Sequence, residues 1–139
     1  MRMEVVGMLL VLVKFVAMKV SNYLLIAAVV LFVGCSDFQK ALKSEEVKLK
    51  NDLALELYEQ GKYRKAAQLF AQLKEIYRGK PQAERSVFFY ANSLLNTQNY
   101  IMAAYEFETF VKAYPKSQKA DEAYFLMGFS HYKTSPNFS

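Results

Sequence analysis

The chain has 139 residues, enough for one domain at roughly 100–200 residues each, and its 53% apolar content mixes two unlike parts. Residues 5–33 carry only two charges, Lys14 and Lys19, whereas the part from Cys35 onward carries 15 Lys/Arg against 12 Asp/Glu. That net +3, with the signs interspersed, is an ordinary solvated surface and not a nucleic-acid footprint. A single Cys excludes a disulfide framework and a multi-cysteine metal site, and one His with only 5 Gly leaves little material for a catalytic centre.

The first element is an apolar leader. Met18-Lys19-Val20-Ser21-Asn22 precedes an 11-residue apolar run, 23–33, closed by Gly34-Cys35. That length fits the core of a signal peptide, whereas a spanning helix wants about 20 apolar residues. The alternative joins residues 5–33 into one long anchor, at a cost of about 2.5–3.5 kcal/mol for each lysine near its middle. Residues 1–34 are therefore expected to be a cleaved signal peptide, with 1–17 an upstream extension if translation starts at Met18.

Leu31-Phe32-Val33-Gly34-Cys35 resembles the lipobox of bacterial lipoproteins, in which the cysteine thiol receives a diacylglyceryl group. Phe32 departs from the leucine usual at that position. The resemblance implies a covalent lipid on Cys35, and such acylation also explains an odd cysteine in an exported chain. More than one acyl chain gives durable anchoring, since each buried methylene contributes about 0.8 kcal/mol. Ser36 in place of an aspartate points to the outer membrane under the enterobacterial sorting rule. Residues 35–50 are read as the lipidated cysteine and a polar lead-in.

From residue 51 the sequence repeats with a period of 37 residues. Ala54, Leu57, Tyr63, Ala66, Ala67, Phe70, Leu73 and Tyr77 return as Ala91, Leu94, Tyr100, Ala103, Ala104, Phe107, Phe110 and Tyr114, with Leu73–Phe110 the one mismatch. A further period places Gly128 under Ala91 and Phe125 under Phe88. Self-similarity at such a period marks stacked repeats. Ala66, Phe70, Leu73 and Tyr77 form one stripe at helical spacing, so each unit reads as two helices. Gly61 and Asn99 suit the turns inside the units, while Gly79-Lys80-Pro81 and Pro115 mark the junctions between them.

The third unit has a first helix, 120–133, but no second before Ser135-Pro136. Its Tyr124, Phe125, Met127, Phe129 and Tyr132 are apolar on more than one side, whereas a capping helix should turn a polar face outward. The expectation is an all-α solenoid of about two and a half helical hairpins over 51–139, truncated rather than capped.

This pattern resembles the tetratricopeptide repeat, with Ala54, Ala91 and Gly128 at the small contact position and Pro115 where the consensus proline belongs. The combination with a lipobox resembles the BamD family of outer-membrane β-barrel assembly lipoproteins. The likeness is carried by 57–66 (LYEQGKYRKA), 107–115 (FETFVKAYP) and 120–125 (ADEAYF), and covers the amino-terminal half of a family with about five repeats. It implies a non-enzymatic scaffold at the periplasmic face of the outer membrane, held by its lipid. The implied partners are the barrel-forming subunit and unfolded outer-membrane proteins.

Stacked hairpins present a concave surface lined by their first helices, suited to an extended or helical peptide. Tyr58, Phe88, Asn92, Phe125 and Phe129 are the candidate groove residues; for Phe88 and Phe125, packing in the core is the competing reading. An alternative within the binding class is a periplasmic repeat lipoprotein that coordinates envelope or peptidoglycan enzymes. Catalytic readings find no support in the sequence. His131 stands alone at a position occupied by Leu57 and Leu94, which predicts a packed imidazole, and Glu106 and Glu108 do not share a helix face. No phosphate loop is present, and no cofactor beyond the Cys35 lipid is expected. The basic residues Lys62, Arg64 and Lys65 read as a solvated helix start, with anionic lipid a secondary possibility.

Overall fold

The computed structural model describes the backbone of residues 2–136 and the side chains of 3–19 and 37–136. Cys35 lies outside the described side chains. Six helices and no strand occur among the described residues: α1 (Arg2–Lys43), α2 (Val47–Glu59), α3 (Tyr63–Ile76), α4 (Gln82–Asn96), α5 (Tyr100–Ala113) and α6 (Ala120–Lys133). The chain divides into two units, Met1–Gln39 and Lys40–Ser139.

In the first unit the side chains of residues 3–19 are all exposed, including Val5, Leu9, Leu12 and Phe15. Among the described residues no helix is long and apolar enough to cross a membrane.

The second unit is a tetratricopeptide-like solenoid. Each helix packs on the next in sequence: α2 on α3, α3 on α4, α4 on α5, and α5 on α6. Alanines at 54, 66, 91, 103 and 123 are fully buried, and their missing side-chain bulk is what lets the backbones approach. Phe70, Phe107 and Phe110, also fully buried, fill the space behind them. The alanine and phenylalanine repeats of the sequence are thus its core.

The two turns inside the hairpins are the same turn. Lys62 N–H donates to the Leu57 carbonyl (2.8 Å) and Gly61 N–H to the Tyr58 carbonyl (3.0 Å). One period later, Asn99 N–H donates to Leu94 (2.9 Å) and Gln98 N–H to Leu95 (2.9 Å). These are the paired bonds of a Schellman cap, which needs a left-handed residue just past the helix. Gly61 supplies it at φ 71°, and in the second hairpin the residue is Gln98 at φ 63°, not Asn99. The period of 37 requires this, since Gln98 is the counterpart of Gly61; the turn preference of asparagine pointed one residue too far.

The first repeat helix starts at Val47, four residues ahead of the boundary expected at 51. The lead-in is also more ordered than its polarity suggests. Ala41 is fully buried, and the buried Lys50 ammonium donates to the Leu42 carbonyl (3.4 Å) and to Gln72 Oε1.

Two expectations for α6 are altered. His131 is exposed rather than packed, and a Cβ on Gly128 would meet nothing within 4 Å. Both positions face a second helix in units one and two, and no helix follows α6 among the described residues.

Candidate functional site

Four helices and two junctions build a groove of about 530 Å³ in the second unit. Tyr58 comes from the end of α2, and Arg85, Phe88, Phe89 and Asn92 from successive turns of α4. Phe110 on α5 and Glu122 on α6 close it, with Pro81 and Lys119 from the junctions.

The floor is a continuous aromatic surface. Tyr58 meets Phe89 edge-on at 4.8 Å between ring centroids, Phe89 stacks on Phe70 at 5.4 Å, and Phe88 lies 5.4 Å from Phe110. Edge and offset contacts of this kind fix ring orientation and present both faces and edges to a ligand. Cations border the floor. Lys119 Nζ lies 5.2 Å from the Phe88 ring centre and Arg85 Cζ 5.6 Å from that of Phe89. Acids sit beside them: Lys119 pairs with Glu122 at 2.7 Å, and Glu84 accepts from Ser117 Oγ at 2.5 Å. The rim is therefore balanced in charge, and the floor is apolar.

Tyr58 and Asn92 are the polar groups of that floor. Burial, with Tyr63 and Glu122 nearby, raises the Tyr58 hydroxyl pKa above its ordinary value, so it remains a neutral donor and acceptor. Asn92 is buried, yet its Nδ2 donates to the Phe88 carbonyl only at 3.5 Å. A side-chain amide has two donors and an acceptor, so Asn92 retains capacity for the backbone of an extended segment. No cluster of three metal-ligating side chains occurs among the described residues.

Of the five candidate groove residues, the fold gathers Tyr58, Phe88 and Asn92. Phe88 is both core and groove: it is buried, packs against Phe107 and Phe110, and still lines the opening. Phe125 and Phe129, on α6, do not line this groove and are 70% and 36% exposed. Phe89, Glu84 and Lys119 were not anticipated. Phe89 falls between the groove positions and corresponds to Asp52 in unit one, so the repeat gave no signal for it. Lys119 belongs to a junction outside any helix pattern.

The second unit is thus a helical-hairpin repeat domain that carries a charge-balanced aromatic groove. A family model described as YfiO, outer membrane lipoprotein, matches residues 49–139, and the chain belongs to that family. A search of the curated proteins found no match.

Proposed function

We propose that this chain is a non-enzymatic, lipid-anchored scaffold of the β-barrel assembly machinery, of the BamD kind, which holds extended segments of unfolded outer-membrane proteins beside the barrel-forming subunit. Membership of an outer membrane lipoprotein family supports the location. The groove supports the binding role: aromatic faces at Tyr58, Phe88 and Phe89 accept apolar side chains, while Asn92 and the Tyr58 hydroxyl meet a peptide backbone. Nascent outer-membrane strands alternate apolar and polar residues, which suits an apolar floor with a polar rim.

Anchoring is assigned to a diacylglyceryl group on Cys35 after cleavage of residues 1–34. Radiolabelled palmitate should label the wild type and not Cys35→Ser, which should leave the membrane fraction; an unlabelled wild type refutes the anchor. For the scaffold role, the full chain is purified from detergent-solubilised outer membrane with a photocrosslinker at Tyr58. Recovery of the barrel-forming subunit together with adducts to unfolded outer-membrane proteins is expected. Recovery with peptidoglycan enzymes instead would favour the envelope-enzyme scaffold and refute this reading.

A further inference from the structure

At the end of the stack where the hairpin turns lie, the two repeats differ in a way their packing does not require. Arg64 and Gln68 on α3 are exposed even though the next hairpin packs against that helix, so these positions point outward from the array. Their counterparts on α5, one period on, are Ile101 and Tyr105, with Met102 in place of Lys65. Ile101 is 73% exposed, Tyr105 61% and Met102 40%, with α6 already packed on α5. A further hairpin stacked in the same manner would leave them outward too, as α4 and α5 leave Arg64 and Gln68. The interior does not use this apolar trio, and the stacking does not cover it.

Basic residues stand beside it. Lys62 and Arg64 border an open depression of about 670 Å³ whose opposite wall is 96–98, the turn that runs directly into α5. No acidic side chain lines that depression. A basic cluster adjoining exposed isoleucine, methionine and tyrosine matches the layering of a membrane interface. There cations meet phosphates, tyrosine sits at headgroup depth, and apolar side chains reach the first methylenes.

We propose that the turn end of the first two hairpins lies against an anionic phospholipid surface, with Ile101, Met102 and Tyr105 entering the headgroup region and Lys62 and Arg64 pairing with phosphates. This surface would be a second membrane contact of the folded solenoid, in addition to whatever holds the amino terminus. The proposal rests on membership of a membrane-associated lipoprotein family and on this surface; it is independent of the aromatic groove, so the two can fail separately.

The chain contains no tryptophan, so one introduced indole reports from a single place. The full chain carrying Ile101→Trp is bound to vesicles of phosphatidylcholine alone, or of equal parts phosphatidylcholine and phosphatidylglycerol, with and without brominated acyl chains. The full chain carrying Gln68→Trp is the outward-facing control. Expected on the anionic vesicles are a blue shift and loss of emission to the bromines for Ile101→Trp, and neither for Gln68→Trp. Adding Lys62→Glu and Arg64→Glu should abolish the shift while the chain still sediments with the vesicles. Water-like emission from Ile101→Trp on anionic vesicles overturns the proposal, as does an equal shift on phosphatidylcholine alone. A shift without vesicles that grows with protein concentration assigns the trio to a second copy of the chain and also overturns it.

Discussion

Gln98 holds a left-handed backbone conformation that costs a side-chain-bearing residue about 1–2 kcal/mol, while its counterpart Gly61 adopts the same conformation without a Cβ. Gln98→Gly should therefore stabilise the solenoid by up to about 1 kcal/mol, the strain relieved less the entropy that glycine adds to the unfolded chain. Gly61→Ala should destabilise it by a similar amount. Thermal melts of both variants check the pair, and a lower melting temperature for Gln98→Gly would refute the shared turn. Lys50 shows the opposite relation between sequence and environment, a charged residue in a buried place. Its ammonium is held by the Leu42 carbonyl and the Gln72 amide. Gln72→Leu removes one of these acceptors and should cost about 1–3 kcal/mol in a urea titration.

Between elements, the alanine pairs and one buried acid control how the helices meet. Ala104 is buried on α5 next to the fully buried Ala103, and Ala104→Leu should cost about 1–3 kcal/mol by overpacking. An unchanged melting temperature would mean that this side of α5 is not in close contact. Glu106 occupies the position that Leu69 fills in unit one, and it is buried with Oε2 unpaired while Oε1 accepts from Lys74 at 2.7 Å. Lys74 also lies 4.9 Å from the Tyr90 ring centre, so this pair ties α3, α4 and α5 together. Lys74→Met would strand the buried carboxylate and should cost about 3–5 kcal/mol, whereas Lys74→Met with Glu106→Leu should recover most of that loss. Urea melts of the single and double variants decide it; equal losses in both would show that the ion pair is not what couples the helices.

Across the molecule, burial raises the pKa of Tyr58, Tyr90 and Tyr114, with acidic neighbours adding to it. A group whose folded pKa lies above its unfolded value contributes stability that is complete below the unfolded pKa and lost as pH rises through the folded one. Stability should therefore fall as pH climbs above the ordinary tyrosine value of 10.0, and Tyr58→Phe should flatten part of that decline. Alkaline urea titrations read this directly. On α6, Tyr124, Phe125 and Tyr132 are each more than half exposed. Such exposure favours association. Phe125→Lys should lower self-association in sedimentation without lowering the melting temperature, since the ring is mostly in water already.

The sequence by itself determined the all-helical repeat, its period and its core, because Ala54/Ala91, Ala66/Ala103 and Phe70/Phe107 must sit where neighbouring helices touch, and close packing tolerates few substitutes there. It also marked Tyr58, Phe88 and Asn92, which share one face of the first helices by spacing alone. Only the tertiary structure decided the rest. Phe89 and Lys119 reach the groove because α2, α4 and the junction at Lys119 converge there, and no periodicity within one helix encodes that convergence. Phe125 and Phe129 repeat Phe88 and Asn92 in sequence but not in surroundings: a position on a repeat becomes interior only when a following helix packs over it.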